Sequence, residues 1–145
     1  MDMYKGKYNH TIDTKGRLIV PSKFRDQLGD EFVITKGADG CLVVYDNEGW
    51  TAFETTLKEM PMNRKDVRQV ARFFLSGAAD VEVDKQGRIL VPTELRDYAG
   101  LEKDVVLIGM ADKIEIWSKE RWEDVSADQN VADTLELMAD WGIQI

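Results

Sequence analysis

Tyr8, His10 and Ile12 alternate with Asn9 and Thr11. A period of two predicts a strand with the first set facing inward. Ala79, Val81 and Val83 alternate in the same way with Asp80, Glu82 and Asp84. Each alternating stretch is followed by an apolar triplet, Leu18-Ile19-Val20 or Ile89-Leu90-Val91, which reads as a buried strand. Pro21 and Pro92 end these strands, because proline has no ladder donor. Phe24 and Leu28, four residues apart, predict a short helix that stops at Gly29; Leu95, Ala99 and Gly100 repeat the arrangement. Phe32-Val33-Ile34 and Val105–Ile108 predict further strands, and so do Cys41–Tyr45 and Ile114–Trp117. After them, Trp50, Phe53 and Leu57 in one copy, and Trp122 and Val125 in the other, fall on helical stripes.

The pattern is one unit used twice. Asp13-Thr14-Lys15-Gly16-Arg17-Leu18-Ile19-Val20-Pro21 returns as Asp84-Lys85-Gln86-Gly87-Arg88-Ile89-Leu90-Val91-Pro92. Arg25 and Asp26 match Arg96 and Asp97, and Gly29 matches Gly100. One extra residue then enters the second copy, so that Gly37 meets Gly109, Tyr45 meets Trp117 and Trp50 meets Trp122. This is a tandem duplication. The repeats are placed at residues 7–49 and 78–121, joined by helices over 50–77 and followed by an acidic helical tail over 122–145. In the join, Asn63 is the expected N-cap, with Asp66 three residues on. The helix after it carries Val67, Val70, Ala71 and Phe74 on one face and Arg64, Lys65, Arg68 and Arg72 on the other. In the tail, Asn130 is the expected cap of a helix with Val131, Leu135, Met138 and Trp141 in a stripe, stopped by Gly142. The fold class is mostly β with short helices, α+β.

Composition narrows the function. The chain has 145 residues, 43% of them hydrophobic, as globular domains do. A unit of this size is marginal alone, so the two copies are expected to share a core. No apolar run reaches the roughly 20 residues that span a bilayer, and the start lacks an apolar leader core. Cys41 is the single cysteine, which permits no internal disulfide and no cysteine-rich zinc site. A cytoplasmic location is the default. The net charge of −8 weighs against a polyanionic partner, but the charge is uneven. Residues 1–29 carry six Lys/Arg against three acids, and residues 118–145 carry two against seven.

The repeated loop is the candidate for chemistry. Three residues separate Asp13 from Arg17, the last a glycine, which suits a tight hairpin with a left-handed third loop position. Asp13 and Asp84 are placed to fold back onto loop N–H groups. Cations held on such tips could meet phosphates or reach a guanine edge, and two copies related by a pseudo-twofold would share one surface. The plain alternative is that Asp13–Arg17 and Asp84–Arg88 are ion pairs that steady the turns. His10 reads as a packed or interface histidine. Asp80, Glu82 and Asp84 share a strand face and could meet a hard cation, but read better as solvated. Cys41 reads as a small buried hydrophobe, and Trp50 and Trp122 as packing residues. No nucleophile–base pair, phosphate loop or metal-ligand spacing is present, so no enzyme, cofactor, metal site or small-molecule substrate is expected.

The two Asp-x-x-Gly-Arg tips with their Val-Pro endings, and Phe73-Phe74-Leu75-Ser76-Gly77-Ala78-Ala79 between them, resemble the MraZ family from about Tyr4 to Val125. These are bacterial transcriptional regulators built from two AbrB-like halves. The resemblance implies a pseudo-dimeric, double-split or swapped-hairpin β-barrel. It also implies a ring-shaped homo-oligomer, eight subunits being one candidate size. The partner it implies is double-stranded DNA, as short direct repeats in the promoter of the division and cell-wall gene cluster. The regulator would act as a nucleoid-associated repressor that also controls its own gene. Carried over by residue, the DNA contacts are Lys15 and Arg17 in the first tip and Arg88 in the second. Lys85 joins them from its place in the second tip, opposite Thr14, while Gln86 replaces Lys15. Successive operator repeats one helical turn apart would face a ring from one side, so weak contacts would add. The competing reading is an antitoxin-like protein-interaction module on the same scaffold, without promoter binding.

Overall fold

The computed structural model describes residues 3–144. The start read above for a leader, Met1 and Asp2, and the final tail residue, Ile145, lie outside the described residues. The strands are β1 (Lys7–Thr11), β2 (Arg17–Ile19), β3 (Glu31–Lys36), β4 (Leu42–Tyr45), β5 (Ala79–Glu82), β6 (Arg88–Leu90), β7 (Asp104–Gly109) and β8 (Ile114–Ser118). The helices are α1 (Ser22–Leu28), α2 (Asn47–Lys58), α3 (Lys65–Ser76), α4 (Thr93–Ala99), α5 (Lys119–Ala127) and α6 (Val131–Asp140).

Six strands form an antiparallel sheet in the order β1-β7-β8-β4-β3-β5, and β2 and β6 form a separate two-stranded ribbon. The halves exchange strands. β1 pairs with β7 of the other half, and β5 pairs with β3. The strand pairing is an open sheet plus a ribbon, and among the described residues the ladders close no barrel. β2 and β6 have three residues each, enough to pair with one another, and β2 reaches β1 only through the isolated Ile12–Leu18 bridge.

One core fills the space between sheet and ribbon. Leu18, Phe24, Phe32, Ile34 and Leu42 come from the first half, and Ile89, Val91, Leu95, Leu107 and Ile116 from the second. Neither half could bury this set alone, as the marginal size of each unit requires. Cys41, Val106 and Trp117 form a smaller cluster on the other side of the sheet, with Trp122 packed against it. Burial and the nearby Glu115 carboxylate push the Cys41 thiol up to about 12, so it is a packing residue rather than a nucleophile.

The local signals hold in most places. Gly100 ends α4 in the left-handed conformation, and Asn130 caps α6 by accepting from the N–H groups of Ala132 and Asp133. α2 and α5 start at matching places, with Asp46 accepting from Gly49 N–H and Ser118 from Arg121 N–H. Two details differ. Arg64, not Asn63, is the N-cap of α3, and it makes no side-chain capping bond; Asp66 pairs with Arg64 instead, at 2.7 Å. In the β-hairpins, Lys36 faces Leu42 and Gly109 faces Ile114. Gly109 therefore occupies the place of Lys36, and Gly37 that of Met110. A length difference is shared between the approach to the strand and the turn after it, which a single insertion cannot describe.

Candidate nucleic-acid interface

Each tip is built by one aspartate. Asp13 Oδ1 accepts from Lys15 N–H at 3.0 Å and Arg17 N–H at 2.8 Å, and Gly16 N–H donates to Asp13 O at 3.0 Å. Asp84 repeats this, accepting from Gln86 N–H at 2.9 Å and Arg88 N–H at 2.8 Å. The backbone N–H groups of Arg17 and Arg88 are the main cause that holds both carboxyls below their usual range. The remaining oxygen binds the arginine side chain, with Arg17 Nε 2.6 Å from Asp13 Oδ2 and Arg88 Nε 2.9 Å from Asp84 Oδ2. The ion pairs of the plain reading therefore exist. They engage only Nε. Among the described residues, no hydrogen bond occupies the Nη1 and Nη2 groups of either arginine, and both side chains keep 39% and 28% of their surface. An arginine held this way has lost side-chain freedom and still offers a two-pronged donor edge.

The ribbon brings the tips together. Arg17 pairs with Leu90, Leu18 with Ile89, and Ile19 with Arg88. Leu18 and Ile89 are 0% and 1% exposed and root the ribbon in the core. Alternation then sends Arg17, Ile19, Arg88 and Leu90 to the outer face. Arg17 and Arg88 stand two register steps apart, about 7 Å along the strands. Lys15 and Lys85 are exposed on the loops beside them.

Two arginines that the sequence reading left out of the site complete it. Arg25 Nε donates to Val20 O at 2.9 Å, and Arg96 Nε donates to Val91 O at 3.0 Å. Each then lies under the opposite half's tip. A Cβ on Gly87 would stand 2.9 Å from the Arg25 guanidinium, and a Cβ on Gly16 would stand 2.7 Å from Arg96 Nε. Gly16 and Gly87 also have φ of 88° and 79°, so both conformation and space demand glycine. The two loops are locked reciprocally, since Val91 N–H donates to Gly16 O and Val20 N–H to Gly87 O. The only sequence signal for Arg25 and Arg96 was that they match each other in the repeat.

The other candidates do not assemble a further site. His10 pairs with Val105 in the sheet. Asp84 turns into its own loop, so Asp80, Glu82 and Asp84 do not converge. Glu82 instead lies opposite Glu31, and their mutual hydrogen bond and repulsion raise the Glu31 carboxyl above its usual range. Arg64 pairs with Asp66 and Arg68 donates to Met62 O, on a helix whose buried residues are Val67 and Ala71. Among the described residues no helix is long and apolar enough to cross a membrane.

Comparison with known proteins agrees with the duplication. The model of the MraZ protein family, of antitoxin-like description, matches residues 3–73 and again 74–139. The chain is 58% identical over 141 residues to "Transcriptional regulator MraZ" of Lachnoclostridium phytofermentans, covering 97% of this chain and 99% of that one. It is 52% identical to the protein of that name from Acetivibrio thermocellus, over 97% of this chain and 100% of the other. The protein of the same name from Ligilactobacillus salivarius is 50% identical over the same shares. The solution structure of PHS018 from Pyrococcus horikoshii aligns with 77% of this chain and 94% of its own, at 18% identity and a TM-score of 0.35, too distant to bear on the fold. With both halves matched and relatives similar from end to end, this chain belongs to the MraZ family.

Proposed function

We propose that this protein is a sequence-specific DNA-binding transcriptional regulator and not an enzyme. Its double-stranded operator would be gripped by Arg17 and Arg88, with Lys15 and Lys85 on the flanking phosphates. One observation carries this reading: two arginines of different halves share the outer face of one ribbon, each held by Nε with both Nη groups open. That fork matches the O6 and N7 acceptors of guanine, or two phosphate oxygens. A two-stranded ribbon is narrow enough for the major groove, about 12 Å wide. Arg25 and Arg96 would hold the tips in place while raising the local positive potential.

The relatives' printed name supports regulation of transcription. The finer reading comes from the family resemblance: a ring-shaped homo-oligomer on direct repeats upstream of the division and cell-wall gene cluster, repressing that cluster and its own gene. A ring would answer the net charge of −8, because affinity grows with the number of phosphates neutralised, and copies of one face would act together. Footprinting of the region upstream of its own gene with purified protein tests the reading. Protected repeats about one helical turn apart are expected. No protection at low salt, together with retention of a basic protein partner, would instead favour the antitoxin-like alternative.

A further inference from the structure

Arginine fills only half of the ribbon's outer face. Ile19 and Leu90 fill the rest, 44% and 59% exposed. A lone exposed aliphatic residue is ordinary. Here, however, the two halves place large aliphatic side chains at the same step after the tip, and the register sets each opposite an arginine of the other half. Alternation turns them away from the core that Leu18 and Ile89 fill. Leu90 also borders a groove lined by Glu31, Asp80 and Glu82. Those carboxylates disfavour phosphate beside Leu90, so a duplex that meets this face would offer Leu90 a base edge and not its backbone.

We infer that Ile19 and Leu90 are specificity-determining residues that read thymine through its C5-methyl group, between the bases or phosphates held by Arg17 and Arg88. The inference rests on the DNA-binding reading above and deepens it. The chemistry is direct: on the floor of the major groove, thymine alone among the four bases presents a methyl group. Arginine supplies attraction to any duplex, and the aliphatic pair supplies discrimination among sequences. The division of labour has separable signatures. Losing a cation lowers both affinity and salt dependence, whereas losing an apolar contact lowers affinity for the preferred sequence and leaves the salt slope alone.

The test uses the full-length protein and a pool of random 30-base-pair duplexes, from which wild-type protein selects its preferred sequences. Selected duplexes are then made with thymine or with uracil, which differs only in lacking the methyl group. Wild type should bind the uracil form more weakly, by about fourfold for each methyl buried. Ile19→Ser/Leu90→Ser should bind both forms equally, with an unchanged salt slope, and Ile19→Val should retain the difference. Circular dichroism and solution mass establish that each variant is folded and assembled. Equal wild-type affinity for the two forms overturns the inference while leaving DNA binding intact. A thymine preference that survives in the double serine variant overturns it too, as does an effect of that variant on assembly alone. Failure of wild type to select any duplex removes the DNA-binding reading itself, and this inference with it.

Discussion

Asp13 and Asp84 each do two things with one carboxylate: they fold a loop and fix an arginine. Because loop N–H groups hold both carboxyls below the ordinary aspartate value of 3.8, the sign of the pH effect follows. This stability is present above the unfolded value and is lost as pH falls through the lower folded value. Melting temperature should therefore drop more steeply below about pH 4 in wild type than in Asp13→Asn/Asp84→Asn, against a reference aspartate pKa near 3.9. Identical profiles from pH 7 to 2.5 would contradict it. Glu31 has the opposite sign. Its raised folded value means that stability falls as pH rises through it, so Glu82→Gln should raise the melting temperature at neutral pH by relieving two carboxylates set opposite each other. The turns were legible in the sequence because the bonds made by the Asp13 and Asp84 side chains all lie within five residues. Asp, Gly and Arg at fixed spacing state the turn completely. Arg25 and Arg96 were not legible as part of the site, because each meets a glycine of the opposite half, and no local pattern reports a contact across the pseudo-twofold.

At the scale of elements, the ribbon is the device that converts two loops into one surface. It is short and gains its position from the core beneath it. Leu18→Ala or Ile89→Ala should cost about 2–5 kcal/mol of stability, as truncation of a fully buried aliphatic residue does. Chemical denaturation measures this, and a cost below about 1 kcal/mol would mean that the ribbon is not rooted as described. Gly16→Ala and Gly87→Ala should each cost about 1–3 kcal/mol, because a left-handed non-glycine is strained and the new methyl would strike the arginine beneath. DNA binding should weaken as well, since the displaced arginine lies under the altered tip. The apolar triplets read as wholly buried strands, yet their central residues, Ile19 and Leu90, are 44% and 59% exposed. The alternation of β1 and β5 and the caps of α4 and α6 could be read from the sequence. The pairing partners could not. Nothing in the alternation of Tyr8, His10 and Ile12 specifies β7 over a neighbour in its own half, and the length change around Gly37 and Gly109 is divided in a way that only the ladder reveals.

At the scale of the whole molecule, the duplication builds a pseudo-symmetric body whose two halves cannot be separated, because they share one core and exchange strands. The appended α6 is different. Val131 and Trp141 are 77% and 74% exposed, and no residue of the helix is buried. Truncation after Asp128 should shift the stability of the folded body by no more than about 0.5 kcal/mol; a larger loss in thermal denaturation would show that the helix packs on its own protomer. Charge is uneven too, since residues 118–145 carry seven acids against two Lys/Arg.

The central claim is that this face grips the double helix. Its most direct test is a titration of wild type, Arg17→Ala and Arg88→Ala against the upstream fragment of its own gene, at several salt concentrations. Each substitution should weaken binding by about 1–3 kcal/mol per site, with melting temperature and solution mass unchanged. Wild-type affinity in both folded variants would contradict the account.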